Sequence, residues 1–110
     1  MIIAVAGPYS APTEAARRQN LDALNSAAAR LLERGHIPVI GVNTALPVVD
    51  QVDPAIDRYQ AIMDISMAVV SCCEALLMIG ESPGANRERM LFIAKGLPVY
   101  NSLDDVPDSL

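Results

Sequence analysis

The feature that most constrains this chain is the alternation of short, apolar runs with longer segments of helical periodicity. The runs cover residues 2–6, 37–40, 75–79 and 97–100, and each of them borders a glycine. Continuous apolar runs of this length are typical of strands that are buried on both faces of a sheet. Strands that alternate with helices predict right-handed crossovers and a parallel sheet.

The segments between these runs carry apolar residues at the three- and four-residue spacing of amphipathic helices. The first predicted helix covers about residues 12–34, and Gly35 ends it. A second helix begins at the Asp-Pro pair of residues 53–54, because aspartate is a preferred N-cap and proline fits the first helical position. The third covers roughly residues 85–95 and ends at Gly96.

The order β-α-β-α-β-α-β predicts one domain over residues 1–110. We expect an α/β fold, a small doubly wound (flavodoxin- or Rossmann-like) open parallel sheet of about four strands with helices on both faces. Pro38 has no N–H to donate, which places the second strand at an edge of the sheet. Exposed edges on so short a chain favour a homodimer or a higher homo-oligomer.

The charge balance narrows the choice of partners. Eight Lys and Arg against thirteen Asp and Glu give a net charge of −5. A nucleic acid polymer is held by a basic face, so it is not an expected partner. A small phosphorylated ligand remains compatible with this charge, because backbone N–H groups can hold a phosphate.

The chain carries no signal for a membrane or for an oxidising compartment. No apolar run approaches the roughly 18–20 residues of a membrane span, and the apolar start is too short for a signal peptide. The only cysteines, Cys72 and Cys73, are adjacent, which suits two reduced thiols rather than a bridge or a metal site. A cytoplasmic protein is therefore expected.

Ligands of doubly wound sheets lie outside the carboxyl ends of the strands. The loops expected there are residues 7–13, 41–53, 80–85 and those from 101 onward, which form a turn or short helix. The residues in these loops that we predict to contact a ligand are Gly7, Pro8, Tyr9, Ser10, Ser82, Pro83 and Gly84. Neither glycine loop is a dinucleotide or Walker motif, and each taken alone also fits an ordinary turn between strand and helix.

Two acids are candidates for chemistry at this edge. Glu88 falls in the first or second turn of the third helix, where the helix dipole favours an ionised carboxylate and keeps a nucleophile available. Asp64 lies on the flank of the second helix. A pair of carboxylates that converge on one cleft can cleave a glycosidic bond. The alternative is that both acids are solvated helix residues, and His36 is expected to be a surface or capping residue at the opposite end.

Two segments of the chain resemble a known family. The segments AVAGPYS and LLMIGESPGANRERMLFIAKGLPVY, with an Asp in the second helix, resemble the nucleoside 2-deoxyribosyltransferase-like family. That family includes deoxynucleoside 5′-monophosphate N-glycosidases and small uncharacterised bacterial and phage members. The resemblance covers about residues 2–106, and its most specific part is S-x-G-x-x-x-E between a strand and a helix.

The resemblance implies a site and a reaction. Glu88 matches the nucleophile that attacks the anomeric carbon of a deoxyribose, and Asp64, 24 residues earlier (88 − 64 = 24), matches the acid that assists the leaving base. Ser82 stands where the monophosphate-cleaving branch has serine, which favours a phosphorylated substrate. Asn43 would read the base, and no metal or organic cofactor is required. Hydrolysis and transfer to a second base both remain open.

Three departures from the family pattern keep a second function in view. Cys72-Cys73-Glu74 stands where members have an Asp before the third strand, and the first strand lacks the Tyr that orients the nucleophile. Either Tyr9 replaces that Tyr from the following loop or the role is missing, and Ser10 stands near the position of a phosphate-binding Arg. The missing Tyr and the missing Asp favour a catalytically inactive nucleotide-binding or regulatory module, ahead of a purely structural domain.

Overall fold

The computed structural model describes residues 1–109 and contains one sheet of four strands. The strands, in chain order, are β1 (Ile2–Ala6), β2 (Ile37–Val39), β3 (Ala75–Met78) and β4 (Val99–Tyr100). The helices are α1 (Glu14–Glu33), α2 (Gly41–Val49), α3 (Arg58–Val70) and α4 (Pro83–Ala94), followed by a short 3₁₀ helix at Leu103–Asp105. The predicted α/β class is confirmed.

The sheet has the strand order β2-β1-β3-β4, and every neighbouring pair is parallel. β2 therefore lies at an edge, as the proline in it predicts. After β1, the chain places β2 on one side of β1 and then crosses over to place β3 on the other side of β1. This reversal lies between β1 and β3, which is where doubly wound sheets leave a crevice for ligands.

The two faces of the sheet each bury a core, because successive side chains of β1 point to opposite faces. Ile3 and Val5 pack with the buried leucines of α1, while Ala4 and Ala6 pack with Val70 of α3 and Phe92 of α4. Burial of a side chain such as Phe92 contributes about 1.5–3 kcal/mol. Helices on both faces thus follow from the apolar run of β1.

Side-chain caps set the starts of three helices, and two glycines follow the ends. Thr13, Asp57 and Ser82 accept a hydrogen bond from the N–H three residues later in α1, α3 and α4 respectively. Gly35 and Gly96 have positive φ angles of 88° and 69° just beyond α1 and α4. Glycine adopts this conformation without a Cβ penalty, so both predicted helix ends are confirmed.

The predicted loop over residues 41–53 is wrong for its larger part, because residues 41–49 form α2. Gly41, Ala45 and Val49 recur at four-residue spacing and are buried. Pro47 inside the segment indicated a loop, since proline removes an intrahelical hydrogen bond. Packing against α3 supplies the stability that local propensity does not.

The second predicted helix start is also wrong. Asp53 closes only a turn, in which its Oδ1 accepts from the Ala55 N–H at 2.8 Å. α3 starts at Arg58, after Asp57 accepts from the Gln60 N–H at 3.1 Å. Both aspartates are suitable caps, and only the second is followed by a helix.

His36 is buried rather than on the surface, with 2% of its side chain exposed. Its Nδ1 lies 3.0 Å from the Met1 nitrogen and its Nε2 lies 2.6 Å from the Pro107 carbonyl oxygen. Because the nitrogen of Met1 donates and the carbonyl accepts, Nε2 carries the proton of the ring. His36 therefore connects the segments at Met1 and Pro107, at the amino ends of the strands.

Within residues 1–109, no helix is long and apolar enough to cross a membrane.

Candidate functional site

A cavity of about 210 Å³ lies at the carboxyl end of β1. It is bounded by the end of β1, the loop that follows it, α1, the starts of α2 and α4, and one face of α3. The walls are mostly apolar, and the residues that line the cavity with a polar side chain are Tyr9, Ser10, Tyr59, Ser66, Ser82 and Glu88. A mostly apolar lining with a small number of polar groups is the usual composition of a small-molecule pocket.

The loop after β1 is held against the loop after β3 by close approaches at two glycines. A Cβ at Gly7 would lie 2.6 Å from Cγ1 of Ile79, and a Cβ at Gly80 would lie 2.9 Å from Cδ of Pro8. Real Cβ atoms do not approach so closely, so both positions favour glycine. This packing fixes one rim of the cavity.

Two side chains of α1 pin the same loop from the other side. The Asn20 side-chain amide donates to the Tyr9 carbonyl at 2.9 Å, and the Arg17 guanidinium donates to the Ala11 carbonyl at 2.9 Å. Hydrogen bonds to main-chain carbonyls restrict the loop without using its side chains. Tyr9 and Ser10 therefore face the cavity from a fixed backbone.

The start of α4 brings a helix N-terminus to the cavity. Ser82 Oγ accepts from the Ala85 N–H at 3.0 Å, its carbonyl accepts from the Asn86 N–H at 2.8 Å, and Pro83 has no N–H. Within residues 1–109, the N–H of Gly84 is the donor of this first turn that has no partner. The partial positive charge of the helix end favours an anionic group there.

Among residues 1–109, Glu88 is the only carboxyl side chain that lines the cavity, and its environment differs from the expected one. Its side chain is 8% exposed, and its carboxyl has no hydrogen-bond or ion-pair partner in residues 1–109. Burial raises the pKa of the Glu88 carboxyl from 4.5 to about 7. The expectation that the helix dipole keeps it ionised is therefore wrong, since Glu88 lies beyond the first turn and desolvation dominates.

Ser66 of α3 is a cavity residue that sequence reasoning missed. It is 8% exposed, and its Oγ has no hydrogen-bond partner among residues 1–109. The one signal in the sequence is a hydroxyl within the apolar stripe of this helix, between Met63 and Val70. Buried polar groups are almost always paired, so an unpaired one indicates a place for a ligand or a water.

A pair of tyrosines lines the cavity from two different elements. Tyr9 comes from the loop after β1, as predicted, while Tyr59 comes from the first turn of α3 and is 48% exposed. Nothing in the sequence assigns Tyr59 to the site, because its position fits an apolar face of the helix equally well. Aromatic rings in a mostly apolar cavity favour a planar ligand group.

The structure brings most of the predicted site residues together. The predicted residues that line the cavity are Gly7, Tyr9, Ser10, Ser82, Pro83, Gly84 and Glu88. Pro8 does not line it and packs against Gly80 instead. The motif after β3 and the loop after β1 thus form one site, although they are about seventy residues apart in the sequence.

Asn43 and Asp64 lie outside the cavity lining. The Asn43 side chain donates to Asn25 Oδ1 at 2.7 Å, and the exposed Asp64 accepts from Gln60 Nε2 at 2.7 Å. Both residues are on helices that bound the cavity, but on other faces of those helices. The structure therefore does not bring Asp64 together with Glu88.

The fold is that of a small doubly wound α/β protein, and the cavity lies at its topological switch point. No known protein-family model matches the chain, and no curated protein is significantly similar to it. In residues 1–109, no group of three or more His, Cys, Asp or Glu side chains is placed to hold a metal ion. The residues of the cavity therefore carry the functional conclusion.

Proposed function

We propose that this protein cleaves the N-glycosidic bond of a 2′-deoxynucleoside or its 5′-monophosphate, or transfers the deoxyribosyl group to a second base, with Glu88 as the nucleophile. The observation that carries this proposal is a buried carboxyl that has no partner within residues 1–109 and lines a mostly apolar cavity. The sequence motif that resembles the deoxyribosyltransferase-like family supports the same assignment for Glu88.

The size and the walls of the cavity support a small nucleoside-like ligand. Its volume of about 210 Å³ is below the roughly 300–1,000 Å³ of pockets for drug-sized ligands. Tyr9 and Tyr59 offer aromatic surface to a planar base. The free N–H of Gly84 and the loop around Ser10 offer donors to the sugar and to any 5′-phosphate.

The proposed reaction is a double displacement. An oxygen of the ionised Glu88 carboxyl bonds to the anomeric carbon while the bond from that carbon to the base breaks, and the base nitrogen keeps the electron pair. Water or the nitrogen of a second base then attacks the same carbon, and the Glu88 carboxylate leaves. The attacking group loses its proton to solvent, and the steps need no metal ion or organic cofactor.

The protonation state of Glu88 sets the pH range of this reaction. Only the carboxylate can attack carbon, and burial holds the pKa of Glu88 at about 7. Base release is therefore slow in acid and rises as the pH passes through about 7. Desolvation also makes the carboxylate that does form a stronger nucleophile than an exposed one.

A second function has support of its own. A carboxyl whose pKa burial raises to about 7 keeps its proton in part of the molecules near neutral pH, and the protonated form can donate a hydrogen bond to a ligand without reacting. No tyrosine in β1 orients Glu88. Both facts favour a nucleotide-binding or regulatory module that retains the cavity and has lost catalysis.

The experiment that separates these functions uses a panel of deoxynucleosides and their 5′-monophosphates, with and without a second base. Chromatography detects free base, and thermal denaturation detects binding. The variant is Glu88→Gln, and the matched control is Glu81→Gln, because Glu81 is exposed in the loop before α4, does not line the cavity and pairs with Arg89 at 3.6 Å.

Base release that is lost in Glu88→Gln and kept in Glu81→Gln supports the glycosidic reaction. Dependence on the second base then distinguishes transfer from hydrolysis. Absence of free base, together with a thermal shift by one of the ligands, supports the binding module, because a ligand that binds only the folded state raises the melting temperature. Absence of both results rejects a nucleotide ligand.

A further inference from the structure

The start of α2 is a second helix N-terminus at the cavity. Ile40, Gly41 and Val42 line the cavity, and no side chain in residues 1–109 caps this nine-residue helix. The N–H groups of a first helical turn have no partner within the helix. They carry partial positive charge and favour an electron-rich group in front of them.

Ser66 provides an independent indication of a ligand at the same wall. Its hydroxyl is buried and has no partner within the described part of the chain, which costs folding free energy unless a ligand uses it. A Cβ at Gly41 would lie 2.9 Å from Cα and Cβ of Ser66, so Ser66 packs directly on the first residue of α2. A serine hydroxyl rotates about one bond and both donates and accepts.

The strand order separates this wall from Glu88. α2 follows the edge strand β2, α4 carries Glu88 after β3, and β1 lies between these two strands. With the sugar at Glu88 and a 5′-phosphate at the start of α4, the base extends toward α2 and Ser66. This placement rests on the proposed function.

We propose that the first turn of α2 and the hydroxyl of Ser66 form a leaving-group pocket that stabilises the charge on the departing base. When the bond from the anomeric carbon to the base nitrogen breaks, the electron pair moves onto the base. N–H and O–H donors stabilise that charge, and the released base takes its proton from water. This pocket acts without Asp64, which lies outside the cavity.

The pocket implies a preference for bases that carry an acceptor, such as a ring carbonyl oxygen, close to the glycosidic nitrogen. Such an acceptor receives part of the negative charge as the bond breaks. The hydrogen bonds from α2 and Ser66 therefore become stronger in the transition state than they are in the bound substrate, which raises the rate and not only the affinity.

The test compares the rates of Ser66→Ala, Ser71→Ala and the wild type on two substrates. Ser71 lies at the end of the same helix, and its hydroxyl donates to the Ala68 carbonyl at 2.7 Å, away from the cavity. One substrate is the deoxynucleoside or deoxynucleotide that the wild type cleaves fastest. The other is the 4-nitrophenyl 2-deoxyriboside with the same 5′ group, whose leaving phenolate is stable without assistance.

Ser66→Ala is expected to lower kcat/KM for base release about 100-fold, and to lower nitrophenol release less than about threefold. Ser71→Ala leaves both rates within about twofold. An equal loss on both substrates assigns Ser66 to structure and overturns the pocket, and so does an unchanged rate of base release. A wild type that releases neither base nor nitrophenol overturns the proposed function itself, whereas release of both with no effect of Ser66→Ala overturns the pocket alone.

Discussion

Glu88 and His36 are both buried titratable residues, but Glu88 lies at the carboxyl ends of the strands and His36 at their amino ends. The two also differ in their hydrogen bonds. Both nitrogens of His36 have partners, at Met1 and at Pro107, whereas the Glu88 carboxyl has none in residues 1–109. A buried polar group with partners stabilises the fold, and one without partners weakens it. The side chain at the amino ends of the strands therefore stabilises the fold, whereas the unpaired carboxyl at the carboxyl ends lowers its stability and is available to a ligand.

The largest expected effect concerns catalysis at the carboxyl ends of the strands. Glu88→Gln is expected to lower base release at least about 1,000-fold, because the amide cannot form the bond to the anomeric carbon. Chromatography of the products measures this loss. A loss below about tenfold would show that another group reacts with the sugar.

The pH dependence of stability sharpens the same contrast. The folded chain keeps the proton of Glu88 up to about pH 7, whereas an exposed carboxyl releases it near 4.5. The free energy of unfolding therefore falls by roughly 3 kcal/mol as the pH rises from 4.5 to above 7, and levels off beyond that. Urea denaturation at pH 5 and pH 8 measures the difference.

Glu88→Gln is the control for this measurement, because its amide does not titrate. The fall in unfolding free energy between pH 5 and pH 8 is expected to be smaller in this variant by about 2–3 kcal/mol, because part of the effect of Glu88 lies below pH 5. Equal pH dependence in the two proteins would contradict the burial of Glu88 in an unpaired state.

At the amino ends of the strands the expected effect is on stability alone. His36→Ala leaves the Met1 nitrogen and the Pro107 carbonyl without their partner and opens a cavity, and it is expected to cost about 3 kcal/mol. Urea denaturation measures the cost. At a temperature where the variant is folded, kcat/KM stays within about twofold of the wild-type value. A large fall would show that His36 influences the reaction at the carboxyl ends of the strands.

The smallest expected effect is at Asp64. Asp64→Asn removes the charge of an exposed side chain outside the cavity, and base release is expected to change less than about threefold. Steady-state kinetics on the best substrate checks this. A loss above 100-fold would place Asp64 at the reacting base and would require α3 to move.

The fold could be predicted because its signals are local. The apolar run of β1 and the glycines at 35 and 96 mark strands and helix ends within a few residues of their observed positions. α2 could not be predicted in this way, because Pro47 contradicts the helical pattern. Its helix depends on contact with α3, which no local pattern contains.

The site could be predicted only as far as its motif extends. The segment from Ser82 to Glu88 and the loop at Tyr9 follow strands whose carboxyl ends must meet at one edge of the sheet. The burial of Glu88 and the exposure of Asp64 both depend on how α3 and α4 pack in the folded chain. Which face of α3 turns inward is a property of the tertiary packing, and for that reason Ser66 and Tyr59 were missed.

The helical state of residues 41–49 has a consequence for affinity. A flexible loop in that place would lose conformational entropy when a ligand ordered it, at about 1–2 kcal/mol per residue. In this chain that loss occurs during folding, because α2 already packs on α3 through the contact of Gly41 with Ser66. The start of α2 and Ser66 therefore have their bound conformation before a ligand arrives, and binding there loses little further conformational entropy.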